Sequence, residues 1–327
     1  MYRYIYIILL CIYYTKSFAN VSITKQHCSP EDASIGKWVS TDTTPVQNIV
    51  EWIYSSKHYN SCNNKWGEFN NGSRPMWEWE PDGCTLQYFS KEGLCNKMKN
   101  KKGILFIGDS ITAVFYYTML FSTDSSCEYS PNNVVANCHI CDDKKISFIF
   151  NAFLDTREDI PGNECPERSH DGMTKCGSFF KEETLKQYDI LVINRGLHYT
   201  EPVEYYREMS ETASKISTMM TDLHDDPILI WRNSVPGHVG CEDKTFGEPI
   251  SSIEEAEHGI ISGGKIYNWY MIQYENILIE PVMRDNGFDI LDVYSSTILR
   301  SDSHIDCLHY CIPGPVDHWI RLLYNMI

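Results

Sequence analysis

Along the second two thirds of the chain, short apolar runs alternate with stretches in which apolar residues recur every three or four positions. The runs Gly103–Ile107, Ile146–Phe150, Asp189–Ile193, Ile228–Trp231 and Phe288–Val293 are bounded by turn residues and read as buried strands. Between them, Val203, Tyr206, Met209, Ala213, Ile216, Met220 and Leu223 keep helical spacing. A second helical pattern runs from about Tyr267 to Ile279 and is expected to stop at Pro281, and a third begins after Pro315 and carries Trp319, Leu323 and Ile327. Uninterrupted apolar strands alternating with helices predict an α/β fold in three layers, its mostly parallel sheet covered on both faces. From Cys28 to about Asn100 the texture differs. This stretch is rich in Trp, Cys, Asn and Gly and has little periodicity, which predicts an irregular, disulfide-stapled lobe. Its tryptophans (Trp38, Trp52, Trp66, Trp77 and Trp79) suit core packing first and stacking on sugar rings second. No internal repeat or low-complexity linker interrupts the chain.

Composition adds a compartment. The chain has 327 residues, 43% hydrophobic and 22% charged, which is ordinary for a globular protein. Arg3, the apolar stretch Ile5 to Tyr14 and the small-x-small Ser17-Phe18-Ala19 form a secretory signal over residues 1–19, with an uncleaved type II anchor as the alternative. Without that segment the 13 cysteines lose Cys11 and become an even 12. Those twelve are the disulfide candidates: Cys28, Cys62, Cys84, Cys95, Cys127, Cys138, Cys141, Cys165, Cys176, Cys241, Cys307 and Cys311. Asn20-Val21-Ser22 and Asn71-Gly72-Ser73 are glycosylation sequons suited to the same compartment. The net charge of −16 argues against a nucleic-acid partner, whose phosphates need a basic face. Residues 20–100 are assigned to the Cys/Trp-rich lobe and residues 101–327 to the α/β domain.

The chemistry concentrates in two places. Gly108-Asp109-Ser110 follows directly on the first apolar strand, where a turn hands over to a helix expected near Thr112. Taken alone, the triplet fits a plain helix cap by Ser110. A serine at a helix N-terminus also sits beside backbone N–H groups able to steady a developing oxyanion. The second place is Asp306-Cys307-Leu308-His309-Tyr310-Cys311, with His309 as the base for Ser110 and Asp306 as the carboxylate that orients it. The order, serine first and Asp-x-x-His last, matches neither the chymotrypsin nor the subtilisin arrangement, nor the usual α/β-hydrolase one. The flanking cysteines and Pro313-Gly314-Pro315 predict a rigid loop.

With these residues the chain resembles the trichome-birefringence-like, PC-esterase family of the SGNH (GDSL-type) hydrolase superfamily. The resemblance rests on the Gly-Asp-Ser turn and on Asp-Cys-x-His-Tyr-Cys-Ile-Pro-Gly-x-x-Asp-x-Trp, ending in Asp317 and Trp319. It extends to Gly36-Lys37-Trp38-Val39 and to Trp77-Glu78-Trp79-Glu80-Pro81-Asp82-Gly83-Cys84. It implies an SGNH-hydrolase-like catalytic domain beside a cysteine-rich lobe. The implied activity is glycan or polysaccharide O-acetylation in the secretory pathway, secreted or in the Golgi lumen, through an acyl-serine and without a cofactor or metal. The partners it implies are an acetyl donor and a glycan acceptor. A carbohydrate acetylesterase uses the same machinery with water as acceptor, and a silent glycan-binding protein is the third reading.

Further blocks extend the candidate site. Asn194-Arg195-Gly196 follows the third strand, and the superfamily's oxyanion asparagine corresponds to Asn194, an ordinary turn being the alternative. Arg232 and His238, after the fourth strand, are candidates for a sugar or carboxylate contact, or for a structural role. Where plant members follow the serine with Leu-Asn-Arg-Asn, this chain has Ile111-Thr112-Ala113-Val114, a departure that leaves the role of those polar side chains in oxyanion or substrate binding open here. Cys138-His139-Ile140-Cys141 could suggest metal or redox chemistry, but in an oxidising compartment disulfides are the expected use.

Overall fold

The computed structural model of the chain describes residues 26–41, 76–123, 125–128, 137–156, 181–198, 201–241, 247–262, 266–304, 306–311 and 314–327. The N-terminal signal, Asn20, Asn71, Cys62, Cys165, Cys176, Trp52 and Trp66 lie outside the described residues.

A seven-stranded sheet organises the chain. In chain order its strands are β3 (Gly103–Gly108), β4 (Ser126–Glu128), β5 (Asn137–Ile140), β6 (Lys144–Phe150), β7 (Ile190–Ile193), β8 (Ile228–Arg232) and β9 (Asp289–Leu291), β1 and β2 being reserved for an N-terminal pair. The order across the sheet is β9-β8-β7-β3-β6-β5-β4. The five strands from β9 to β6 are parallel, and β5 and β4 add an antiparallel edge. All six residues of β3 are buried, as its central place requires. Successive residues face opposite layers: Ile104 and Phe106 join one core cluster, Leu105 and Ile107 the other. Helices α1 (Ser110–Ser122) and α4 (Pro315–Met326) fill the first layer. Helices α2 (Pro202–Leu223) and α3 (Ile272–Asp285) fill the second. The fold is a three-layer α/β/α sandwich with a mostly parallel sheet.

Several boundaries differ from the sequence expectations, each for a physical reason. Helix α1 starts at Ser110, not near Thr112, because Asp109 supplies the N-cap and accepts from Ile111 N and Thr112 N. On α2 the buried stripe is Tyr205, Met209, Ala213, Ile216 and Met220, while Val203 and Tyr206 are 84% and 45% exposed. Tyr205 is four residues before Met209 and so continues the stripe, whereas Tyr206 turns away from it. Helix α3 runs through Pro281 to Asp285. The carbonyl that Pro281 cannot serve belongs to Ile277, on the solvent side at 66% exposure, where water can take the bond. Strands β4 and β5 are short and carry no apolar run, so periodicity gives no strand there. The structure pairs Cys138 with Cys127 across this hairpin and Cys141 with Cys95. Disulfides Cys28–Cys84 and Cys241–Cys307 are also formed, and Cys311 is disulfide-bonded as well. No helix among the described residues is long and apolar enough to cross a membrane.

N-terminal to the sheet, β1 (Gly36–Thr41) and β2 (Met76–Pro81) pair antiparallel, with Trp38 opposite Trp79. These tryptophans pack and anchor. Trp79 is buried and donates to Ala33 O, while Trp38 donates to Ser296 O at 2.7 Å and lies under the Arg300 guanidinium. His318 of α4 sits against both rings. Burial, with Arg321 nearby, pushes its pKa down to about 3, so it is neutral there. Arg321 reaches from α4 to Glu78 at 2.7 Å and ties the pair to the sheet domain.

Candidate active site

Strand β3 ends in a turn so tight that Gly108 has no room for a side chain: a Cβ there would meet Thr112 Oγ1 at 2.3 Å and Asn194 O at 2.9 Å. Asp109 follows, fully buried, its Oδ1 holding the first turn of α1. Ser110 is thereby fixed at the first helical position. Its own N–H has no partner among the described residues, as expected at a helix N-terminus. Loops on either side are pinned to the same strand: Asn151 N donates to Gly108 O at 2.9 Å and Asn194 N to Ile107 O at 3.1 Å.

The C-terminal loop brings the other two groups to this turn. His309 Nε2 lies 2.8 Å from Ser110 Oγ. On the far side of the ring, His309 Nδ1 is 2.8 Å from Asp306 Oδ2, and Asp306 Oδ1 accepts from His309 N at 2.7 Å and from Leu308 N at 3.1 Å. A carboxylate against Nδ1 sets the proton there and leaves Nε2 free to accept from the serine hydroxyl. Partial burial would raise the Asp306 pKa, but the hydrogen bonds from the His309 ring and backbone outweigh it and hold it at about 2. The Asp306 side chain is 53% exposed and that of His309 27%, so this site opens to solvent on its acid–base side.

The loop has little regular structure, and its shape is imposed from the segment after β8. Cys307 adopts φ 64°, a costly backbone for a residue with a Cβ, and is clamped by its disulfide to Cys241. Its carbonyl accepts from His238 N at 2.8 Å, and Gly237 passes so close that a Cβ would meet that oxygen at 2.3 Å. Tyr310, fully buried, donates to Pro236 O at 2.7 Å. His238 Nδ1 lies 2.6 Å from His304 Nε2, and His304 Nδ1 3.3 Å from His309 O. Burial and the neighbouring His238 hold His304 well below the usual histidine range, so it stays neutral. Asn276 of α3 grips Ser234 through both its amide groups, at 2.8 and 2.9 Å.

Other sequence candidates turn out to support the site from below. Asn194 is buried, and its Nδ2 donates to Arg232 O at 2.7 Å and to Ser234 Oγ at 3.0 Å. With both amide hydrogens taken it has no donor left for an oxyanion, which corrects that expectation. Arg232 reaches neither sugar nor solvent: at 1% exposure it donates to Asn194 Oδ1 at 2.6 Å and to Thr112 Oγ1 at 3.3 Å. Burial lowers its pKa to about 10, and the nearby charge of Asp109 opposes that fall. His238 is equally interior, its Nε2 2.7 Å from Ile298 O. Arg195, 2% exposed, pairs with Glu208 between the Phe153 and Tyr205 rings. Gly196 is packed under Ser234, whose Oγ a Cβ would meet at 1.9 Å. Ile111, Thr112 and Val114, at the positions of the plant polar motif, are buried. The sequence pattern did not point to His304 or Asn276. His304 alone left a trace, two residues before Asp306.

Several known proteins and one family model are similar to this chain. Residues 241–326 match the PC-Esterase model, described as a GDSL/SGNH-like acyl-esterase family found in Pmr5 and Cas1p. Xyloglucan O-acetyltransferase 1 of Arabidopsis thaliana is 24% identical over 90% of this chain and 80% of its own length. Protein trichome birefringence-like 25 of the same plant is 22% identical over 94% of this chain and 80% of its own. Among solved structures, the periplasmic domain of a Salmonella ser. Paratyphi A lipopolysaccharide acetyltransferase aligns with a TM-score of 0.41 and 14% identity, over 83% of this chain and 97% of that one. Residues 241–326 thus match the PC-Esterase family, and over most of its length the chain is similar to trichome-birefringence-like proteins and a xyloglucan O-acetyltransferase.

Proposed function

We propose that this protein is a polysaccharide O-acetyltransferase that works through an acetyl-serine on Ser110. The observation that carries the reading is the hydrogen-bonded line from Ser110 Oγ through the His309 ring to Asp306, each step 2.8 Å. Relatives named as xyloglucan O-acetyltransferases support the polysaccharide acceptor. Ser110 Oγ attacks the acetyl carbonyl of a donor ester as His309 Nε2 takes its proton, and the Ser110 N–H faces the developing oxyanion. His309 returns the proton to the leaving group. It then takes the proton of a glycan hydroxyl as that oxygen attacks the acetyl carbonyl, and passes the proton to Ser110 Oγ as the ester bond to the serine breaks. Asp306 stays ionised and holds the ring throughout.

In this reading residues 101–327 carry the chemistry, residues 20–100 form the lobe docked beside it, and residues 1–19 route the chain to the secretory pathway, to the Golgi lumen or outside. The four disulfides among the described residues fit that compartment. The exposure of Asp306 and His309 favours one second reading, an acetylesterase in which water takes the acyl group. Incubation of the purified chain with a labelled acetyl ester, with and without oligosaccharide, tests both. Label on the sugar identifies a transferase, free acetate alone an esterase. Full activity in Ser110→Ala would overturn the mechanism.

A further inference from the structure

Two histidine rings stand in line between the carbonyl of Ile298 and the carbonyl of His309. His238 Nε2 lies 2.7 Å from Ile298 O, His238 Nδ1 lies 2.6 Å from His304 Nε2, and His304 Nδ1 lies 3.3 Å from His309 O. Both rings are buried, at 3% and 4% exposure, so neither can turn to bulk water instead. Tyr310 stacks on the His304 ring at 4.3 Å between centroids, and His238 N donates to Cys307 O, which holds both residues in place. Acetyl transfer as described uses neither ring, yet the line ends on the residue that supplies the base.

The protons along this line do not balance for two neutral rings. A carbonyl oxygen only accepts, so each end of the line needs an N–H. The contact between the rings needs another, because two bare nitrogens facing each other at 2.6 Å would repel. Three N–H groups are required, and two neutral imidazoles supply one each. Burial and the neighbouring His238 keep His304 neutral, so the third proton falls to His238. His238 then donates to Ile298 O through Nε2 and to His304 Nε2 through Nδ1, and His304 keeps its own proton on Nδ1 for His309 O.

The charged neighbours of the pair are few. Asp306 favours a proton on it, and His309, when itself charged, opposes one. Tyr310 is kept un-ionised by burial, with Arg232 acting on it as a nearby cation. Arg300 and Asp302, on the segment leading to His304, neutralise each other at 2.8 Å. These influences set an order. Once His309 has given up its proton to become a base, its repulsion of the pair ends, and the pair keeps its proton to higher pH.

We infer that His238 and His304 are a positioning pair that holds three protons between two carbonyls, and that the third proton seats the backbone of His309 so that its ring meets Ser110. When rising pH removes that proton, one N–H is missing, and the contact to His309 O, the longest of the three, is the one given up. Activity then falls although His309 is fully basic. The catalytic role of the pair rests on the acetyl-transfer reading; its three protons do not.

Histidine 15N spectra of the full chain decide the proton number, with His238→Phe and His304→Phe used to assign the signals. At a pH where His309 is neutral, both nitrogens of His238 carry a proton, as does Nδ1 of His304, while Nε2 of His304 is bare. Two neutral rings under that condition would overturn the inference. Acetate release from a small aryl acetate then reads the consequence. In the native chain kcat follows a bell, rising as His309 loses its proton and falling as the pair loses its own. His304→Phe keeps a ring against Tyr310 but has no N–H for His309 O. Its kcat is about tenfold lower on the plateau with KM unchanged, and the alkaline fall is gone. A native profile without an alkaline fall, or the same fall persisting in His304→Phe, overturns the positioning role. Should the variant not fold, the native spectra and native profile still decide. No acetate release from the native chain counts against the acetyl-serine, while the spectra still decide the pair.

Discussion

The two halves of the site are built by opposite means. The nucleophile turn belongs to regular structure: β3 is buried along its whole length, Asp109 caps α1 from the adjacent position, and neighbouring backbone pins Gly108 and Ile107. The Asp306–His309 loop lies outside strand and helix, with Asp306 holding the backbone of Leu308 and His309 from within. It borrows its shape from residues 66 or more positions away in the chain, through the Cys241–Cys307 disulfide, the His238 contacts and the Tyr310 bond to Pro236. Local order therefore secures the serine, whereas long-range clamping secures the histidine beside it. Damage to the first half should register mainly as stability, and damage to the clamp mainly as rate.

The largest effect removes either half outright. Ser110→Ala and His309→Ala are each expected to lower kcat by roughly four to six orders of magnitude, with Asp306→Asn close behind, measured as acetate release from an aryl acetate. The double variant should be no worse than either single one, because the groups act as a unit. Next comes the clamp. Cys241→Ser should cost about 3 kcal/mol in denaturant unfolding and also lower kcat well beyond what the unfolded fraction explains. Asp109→Ala, which removes the cap, should cost about 1–2 kcal/mol while retaining most of the activity per folded molecule. Equal losses of kcat in these two variants would erase the proposed contrast.

A finer probe uses pH. Glu275 on α3, beside the Asn276 that grips the clamp, has its carboxyl pushed up to about 8 by burial, with Arg195 opposing. The fold keeps that proton, whereas the unfolded chain releases it above the ordinary carboxylate value. Stability should therefore fall as pH rises from about 4.5 to about 8, and Glu275→Gln should flatten that slope in calorimetric scans. Smallest of all, Tyr206→Ser should change stability by no more than about 0.5 kcal/mol, while Tyr205→Ala costs several times that.

The same contrast explains what was legible in the sequence. Five parallel strands, the Gly-Asp-Ser turn and the Asp-x-x-His spacing could be read because each is a local pattern: an apolar run, a tight turn, a three-residue offset. Ser110, Asp306 and His309 do meet, as the motifs required. Asn194 and Arg232 were placed correctly at strand ends but assigned the wrong direction. Nothing local says whether a polar side chain at a strand end turns toward the ligand or downward toward another polar group, and here each buries the other. Asn276 carried no signal, since its importance lies in the backbone it approaches. Pro281 misled because the cost of a proline depends on whether its orphaned carbonyl meets water, which is a tertiary fact.

The bridge between Cys241 and Cys307 has a consequence for the life history of the protein. The sheet, the helices and the serine turn are assembled by burial and hydrogen bonding, which proceed wherever the chain is made. The loop that must meet them adopts its unfavourable backbone under the grip of a bond that forms only where thiols are oxidised. A chain retained among reducing partners would carry the architecture of an enzyme and the reactivity of a bystander. Maturation and activation would then be one event, set by the first oxidising compartment the chain enters.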